Sequence, residues 1–123
     1  MGARILLVED NPANLALMEY LLGAFGHKTI SATDGAKGVE TAKATLPDII
    51  LMDLHMPALD GFDAALQIKA VPALRAIPIV AVTASAMVGD RSKILARGFD
   101  GYIAKPITPE TFVSQVESFL PQK

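Results

Sequence analysis

Short apolar segments alternate along the chain with segments in which apolar residues recur every three or four positions. Four segments of strand length are apolar without polar alternation, as expected of strands covered on both faces, at 4–8, 48–53, 79–83 and 102–104; a weaker strand is predicted at 27–32. Helical patterns follow them near 12–25, 36–44, 61–71, 90–97 and 108–120. This alternation predicts an α/β fold in which a parallel sheet carries helices on both faces with right-handed crossovers.

Residues that begin and end helices support these boundaries. Asn11 and Thr108 are predicted N-caps, because each precedes a proline that fits the first helical position. Gly26 and Gly98 are predicted to end the first and fourth helices. The predicted helix faces are Leu15, Met18, Leu22 and Phe25 in the first helix, Ala36, Val39 and Ala42 in the second, and Phe62, Leu66 and Lys69 in the third.

Composition narrows the function classes. The chain has 123 residues, of which 51% are hydrophobic and 20% charged, which predicts one globular domain over 1–123. The net charge of -2 and the scattered lysines and arginines argue against direct nucleic-acid binding. The absence of cysteine removes disulfides and thiolate chemistry, and no apolar stretch is long enough to span a membrane. A cytoplasmic location is the expectation.

Carboxylates follow two of the predicted strands. Asp53 ends the central apolar segment, Glu9 and Asp10 follow the first, and Thr83 ends the fourth. Open α/β sheets bind their ligands at the carboxyl ends of the strands. If these strands are parallel neighbours, three carboxylates and a hydroxyl therefore meet at one edge.

Such a cluster needs a cation. Two carboxylates about 4 Å apart repel by roughly 4 kcal/mol at an effective dielectric constant of 20. Mg²⁺ suits an all-oxygen site and leaves room for a phosphate, and Lys105, at the end of the fifth strand, adds a compact positive charge. These parts suit attack on a phosphoryl group by Asp53, with Lys105 and Thr83 on the phosphoryl oxygens. The product would be an acyl phosphate.

Several motifs now give a family resemblance that covers Ile5 to about Leu120. The chain resembles the receiver domains of two-component response regulators, including chemotaxis regulators and the receivers of hybrid sensor kinases. The motifs are Val8-Glu9-Asp10-Asn11, Asp53-Leu54-His55-Met56-Pro57 with Gly61, Thr83-Ala84, and Lys105-Pro106. The resemblance implies a doubly wound, flavodoxin-like (βα)5 fold with strand order 2-1-3-4-5.

The resemblance also implies roles for the acidic residues. Asp53 would accept a phosphoryl group from a phosphohistidine. Asp10 and Asp53 would bind Mg²⁺, or Mn²⁺ as an alternative, together with the backbone carbonyl of His55, and Glu9 would act through a bound water. His55 stands where many members have asparagine, and this position and Ser85 would tune the lifetime of the phosphate.

The remaining implied roles concern signal transmission. Lys105 would contact the phosphoryl group, and its peptide bond to Pro106 would be cis. Thr83 would move towards the phosphate, coupled to Tyr102 as the switch aromatic. The output surface would be the Gly89–Leu120 face, which binds a downstream effector protein. The phosphodonor would be a histidine kinase or a histidine phosphotransfer protein, and enzymatic activity would extend at most to self-catalysed phosphotransfer and autodephosphorylation.

Three alternatives compete with this interpretation. An aspartate-nucleophile phosphatase would usually have a second aspartate where His55 stands. A flavin carrier would not place Glu9 and Asp10 in the loop that binds the cofactor phosphate. A receiver-like binding module that is independent of phosphorylation is the third. His27 and His55 form no convincing metal pair, and each is interpreted as a surface or strand-end histidine.

Overall fold

The computed structural model describes residues 2–54, 61–84 and 88–120, with the backbone alone for 88–90. His55 and Ser85, both predicted site residues, lie outside the described residues. The strands are β1 (Arg4–Val8), β2 (Lys28–Ala32), β3 (Ile49–Asp53), β4 (Ile79–Thr83) and β5 (Gly101–Ala104). The helices are α1 (Pro12–Ala24), α2 (Gly35–Thr45), α3 (Gly61–Lys69), α4 (Val88–Ala96) and α5 (Pro109–Ser118), with a 3₁₀ turn at Pro72–Leu74.

The five strands form one parallel sheet in the order β2-β1-β3-β4-β5, which confirms the predicted fold class. The position of each strand follows from its composition. Every residue of β3 and β4 is buried, as expected of central strands that helices cover on both sides. β2 contains Lys28, Thr29 and Ser31 and forms one edge of the sheet.

Two hydrophobic cores lie on the two faces of the sheet. One core packs α2, α3 and α4 against the sheet, and its helix residues include Val39, Ala42, Ala64, Ala65, Ile68 and Ile94. The other packs α1 and α5, and its helix residues are Met18, Leu22, Phe112, Val113 and Val116. Among the described residues, no helix combines the length and the apolar character needed to cross a bilayer.

Two predicted helix faces were wrong in part. Phe25 is 65% exposed, because it is the C-cap of α1 and lies beyond the last helical residue, Ala24. Ala36 is exposed, whereas Gly38 is buried. A Cβ atom at position 38 would lie 2.9 Å from Val8 Cγ2, so α2 approaches the sheet through this glycine and not through Ala36.

The predicted buried face of the third helix was also wrong in part. Its buried residues are Gly61, Ala64, Ala65 and Ile68. Leu66, on the predicted face that contains Phe62 and Lys69, is 68% exposed. Leu66 therefore lies at the outer surface of α3, whereas Ile68 is buried in the core.

The helix ends mostly follow the predicted signals. The Asn11 side chain accepts hydrogen bonds from the backbone N–H groups of residues 13 and 14. Gly26 and Gly98 have φ values of 85° and 94°, the left-handed region that favours glycine after a helix. Thr108 is the N-cap of α5 without a side-chain capping bond. α4 begins at Val88, two residues before the predicted start at Asp90.

His27 is a strand-end residue, as predicted, but it is not on the surface. Its side chain is 6% exposed. Nδ1 accepts a hydrogen bond from the backbone N–H of Ala3 at 2.9 Å, so in the neutral ring Nε2 carries the hydrogen. Nε2 lies 2.8 Å from Oε2 of Glu117 in α5. His27 therefore joins the amino-terminal segment to α5 at the end of the sheet opposite the acidic residues.

Candidate functional site

The strand register brings Glu9 beside Asp53. Val8, the last residue of β1, pairs with Met52 of β3. Glu9, which follows Val8, therefore lies beside Asp53, the last residue of β3. Asp53 in turn pairs with Val82 in β4. The parallel register therefore delivers these carboxylates to the same edge of the sheet, as the sequence predicted.

Three carboxylates form a compact acidic group at this edge. One carboxylate oxygen from each of Glu9, Asp10 and Asp53 lies within 4.8 Å of the other two. Glu9 is 1% exposed and Asp53 5% exposed, whereas Asp10 is exposed. Solvent and ligands therefore reach the group from the side of Asp10.

Lys105 supplies a positive charge to this group. Its Nζ lies 3.0 Å from Glu9 Oε1 and 3.3 Å from Asp53 Oδ2. The Lys105 backbone N–H donates a hydrogen bond to the carbonyl of Thr83 at 2.8 Å, which fixes the start of the side chain beside β4. The Lys105 side chain thus reaches from the end of β5 to the end of β1, past the ends of β3 and β4.

Burial and charge shift the pKa values of this ion pair. Burial raises the pKa of Glu9, and Lys105 and the Asn11 N–H, which donates to Glu9 Oε2 at 3.2 Å, offset this only in part. For Lys105, burial acts to lower the pKa, but contacts with Glu9 and Asp53 outweigh it and the pKa is raised. The ammonium is therefore held in its charged form, and the buried carboxylate of Glu9 is stabilised incompletely.

The donor set fits a divalent cation. Within the described part of the chain, the buried Oε1 of Glu9 has no hydrogen bond of good geometry, and the ion pair with Lys105 is its compensation. The Lys105 ammonium contacts two of the three clustered carboxylates, those of Glu9 and Asp53. Oxygen ligands of this kind suit a hard cation such as Mg²⁺. The acidic group is therefore compatible with Mg²⁺.

Gly61 has a role that the sequence did not reveal. Its N–H donates a hydrogen bond to the Leu54 carbonyl at 3.2 Å, so the first residue of α3 packs directly on the chain that leaves β3. A Cβ atom at position 61 would overlap the backbone oxygen of Asp53 and lie 2.8 Å from the Cα of Leu54. The sequence marked this glycine as a break after the central strand and as part of the motif that begins at Asp53, but the close approach depends on how α3 packs.

Thr83 and Tyr102 lie on the same face of the sheet. Thr83 is fully buried at the end of β4, and Tyr102 is half-buried in β5. Tyr102 pairs with Ala81, two residues before Thr83, so the two side chains project from the same face. The Arg91 guanidinium lies 5.2 Å from the centre of the Tyr102 ring, a contact that the sequence did not indicate.

The predicted site residues are therefore distributed in two groups. Glu9, Asp10, Asp53 and Lys105 come together in the acidic site. Thr83 adjoins this site through its hydrogen bond to Lys105, and Tyr102 lies along β5. The peptide bond between Lys105 and Pro106 is cis. His55 and Ser85 lie outside the described residues.

Known proteins share both the sequence and the fold. A family model for the response regulator receiver domain matches residues 5–117. The polar-differentiation response regulator DivK of Brucella anthropi is 38% identical over 120 residues, which cover 98% of each chain. The chain is thus similar to a regulator of nearly its own length.

Solved structures agree with this match. The receiver domain of the sensor histidine kinase PA1611 of Pseudomonas aeruginosa, solved with a magnesium ion coordinated in its active-site cleft, has a TM-score of 0.88 and 38% identity, covering 97% of this chain and 98% of that one. The chemotaxis protein CheY4 of Vibrio cholerae, at 24% identity, shares the fold with a TM-score of 0.91 over 98% of this chain and all of that one. The chain belongs to the receiver domain family of two-component response regulators.

Proposed function

We propose that Asp53 is the phosphoacceptor of this receiver domain and that its donor is a phosphohistidine on a histidine kinase or a histidine phosphotransfer protein. One observation carries the proposal: Asp53 is the member of the three-carboxylate group that ends the central strand β3, and it lies 3.3 Å from the Lys105 ammonium. Phosphoryl transfer to a carboxylate needs an oxygen nucleophile with positive charge beside the oxygens that it will carry.

In the proposed reaction, the phosphoryl group moves from the phosphohistidine to Asp53. An Asp53 carboxylate oxygen forms a bond to phosphorus while the phosphorus–nitrogen bond of the phosphohistidine breaks, and the imidazole leaves with a proton. The product is an acyl phosphate. Lys105 is placed to contact the phosphoryl oxygens, since its Nζ already lies beside Asp53, and Thr83 has its hydroxyl at the neighbouring strand end. Glu9 keeps Lys105 in position through its ion pair.

The metal ligands under this proposal are Asp10, Asp53 and the backbone carbonyl of His55, with Glu9 acting through water. When bound, Mg²⁺ or Mn²⁺ would neutralise charge on the carboxylates and on the transferred phosphoryl group. The magnesium ion in the cleft of the similar PA1611 receiver supports this assignment. So does the excess of carboxylates over ammonium groups at the site.

Phosphorylation would act by shifting a population between two states. A phosphoryl group adds about -1.5 to -2 charge and new acceptor oxygens, and it favours the state in which those oxygens find more donors. Thr83 would supply such a contact, with Tyr102 as the coupled aromatic, and His55 and Ser85 would tune the lifetime. The Gly89–Leu120 face would then bind the downstream effector protein.

Intact-mass spectrometry tests the acceptor directly. The protein is incubated with Mg²⁺ and acetyl phosphate, and the expected result is a mass gain of one phosphoryl group. Asp53→Asn and an EDTA control should each abolish the gain. Asp34→Asn is the matched control, because Asp34 caps α2, is not a member of the three-carboxylate group, and can be replaced by asparagine, which caps helices equally well.

Two results would refute the assignment. A gain that survives Asp53→Asn would show that another residue is the acceptor. No gain in folded wild-type protein that binds Mg²⁺ would favour a receiver-like module that works without phosphorylation. The Asp34→Asn variant should be phosphorylated like the wild type.

A further inference from the structure

A cleft lies between α3 and the end of α4, and it is formed by none of the residues of the acidic site. Its volume is about 370 Å³. Phe62 and Leu66 of α3 line one side, and Ala96 and Arg97 line the other. Leu66 is 68% exposed, although large aliphatic side chains are usually covered when a neighbouring surface is available. The cleft therefore presents an apolar surface that the described chain leaves open.

Two cations frame the aromatic floor of this cleft. The Arg97 guanidinium lies 4.9 Å and the Lys93 ammonium 5.7 Å from the centre of the Phe62 ring. Phe62 itself is anchored edge-on against the buried Phe99, with ring centres 5.8 Å apart. The Phe62 ring thus keeps both cations beside the cleft.

These two charges have no acidic partner in the described part of the chain. Neither Arg97 nor Lys93 forms an ion pair with a side chain that the structure describes, in residues 2–54, 61–84 and 91–120. Lys69, which also lines the cleft, differs because its ammonium lies 3.4 Å from Asp100 and donates to the Ile77 carbonyl. Arg97 and Lys93 are therefore the cations available to an occupant.

We propose that this cleft docks an acidic segment of a partner protein, with one apolar side chain of that segment seated against Phe62 and Leu66. Charge complementarity argues for this occupant, because carboxylates flanking the anchor would meet Arg97 and Lys93. An apolar anchor in a pocket with a charged rim is the usual arrangement of a binding hot spot. The proposal does not depend on phosphorylation of Asp53.

A nucleic acid fits this surface less well than a protein. Two cations beside an exposed leucine suit a short acidic segment, whereas a phosphate backbone is bound by a longer row of cations. The net charge of the chain is -2, without the basic surface that such binding needs. The exposed Leu66 side chain would make no favourable contact with a phosphate backbone.

A peptide selection tests the proposal with random sequences in place of the partner protein. A random peptide library displayed on phage is selected on the wild-type protein, and enriched peptides are synthesised with a fluorophore. We expect enriched peptides to combine aspartate or glutamate with a large apolar residue. Fluorescence polarisation should show affinity about tenfold or more weaker for Arg97→Glu and several-fold weaker for Leu66→Ala.

Matched variants make the result specific. Lys28→Glu makes the same reversal of charge at an exposed residue of β2 and should leave affinity unchanged. Asp53→Asn should also leave it unchanged, which separates this proposal from the phosphoacceptor assignment. Circular dichroism checks folding, and Arg97→Gln replaces Arg97→Glu if the reversed charge prevents folding.

Three outcomes would overturn the proposal. The first is that no peptide is enriched. The second is that the enriched peptides bind Arg97→Glu and Leu66→Ala as tightly as the wild type. The third is that a short DNA duplex competes with the peptide in a manner that depends on Arg97, which would identify a nucleic-acid surface instead.

Discussion

Lys105 Nζ lies 3.0 Å from Glu9 Oε1, although two strands separate β5 from β1 in the sheet. Glu9 is almost completely buried and its pKa is raised, first by burial, so its charge depends on the nearby ammonium. The same ammonium lies 3.3 Å from Asp53. A ligand that enters the site must therefore share or replace an interaction that already stabilises the protein.

Replacement of Lys105 by methionine should destabilise the metal-free protein. The change leaves the buried Glu9 without its cation, and we expect a loss of about 2 kcal/mol in the free energy of unfolding. Urea denaturation in EDTA measures it. Lys37→Met is the control, since Lys37 is exposed and lies 4.0 Å from Asp34; it should change stability by less than about 0.5 kcal/mol. Equal stability of Lys105→Met and wild type would contradict the importance of the pair.

Gly61→Ala should distort the acidic site by displacing the backbone at the end of β3. The added methyl group would press on the backbone of Asp53 and Leu54, and overpacking of this kind costs about 1–3 kcal/mol. We expect lower stability and slower Mg²⁺-dependent phosphorylation, measured by urea denaturation and intact mass. Gly23→Ala in α1 meets no atom within 4 Å and should stabilise the protein by up to about 1 kcal/mol. Unchanged stability and phosphorylation in Gly61→Ala would show that the contact is unimportant.

Mg²⁺ should stabilise the protein through the acidic site. Binding to the folded state alone adds about 2.7 kcal/mol at a Mg²⁺ concentration one hundred times the dissociation constant. Thermal unfolding with and without Mg²⁺ measures the effect. Asp10→Asn should remove most of it, because Asp10 is the exposed carboxylate of the group. Asp48→Asn, at the opposite end of the sheet, should keep it, and a full Mg²⁺ effect in Asp10→Asn would exclude Asp10 as a ligand.

His27→Gln should reduce stability without affecting phosphorylation. The substitution disturbs the hydrogen bond from the Ala3 N–H and the contact with Glu117, and we expect a loss of about 1–2 kcal/mol. Glu117→Gln should cost less, because that carboxylate is 46% exposed. Urea denaturation gives the stability and intact mass gives the phosphorylation. A large loss of phosphorylation in folded His27→Gln would mean that His27 influences the site.

Short-range patterns in the sequence determined much of the fold. Most strands were predictable because they are short apolar runs bounded by proline, glycine or charged residues, and capping residues such as Asn11 act within a few positions; the more polar β2 gave the weaker signal. The acidic group was predictable too. Glu9, Asp10 and Asp53 each end or follow a strand, and a parallel sheet brings such ends to one edge.

Packing decided the properties that depend on distant parts of the chain. Phe25 and Ala36 are apolar and in phase with their helices, yet both are exposed, because helix ends and a close contact at Gly38 set the buried face. Hydrophobic periodicity gives the spacing of a face but not the rotation of the helix on the sheet. The burial of His27 likewise depends on Glu117, ninety residues away.

Long side chains that cross between elements decided the electrostatics of the acidic site and of the cleft beside α3. The long Lys105 side chain crosses two strand ends to Glu9, and Arg97 folds over Phe62 from the end of a different helix. Neither pairing has a signal in sequence spacing, because each joins elements that meet only in the folded chain. The sequence thus determined the elements and the edge at which the carboxylates gather, while tertiary packing decided which charges are compensated and which face outward.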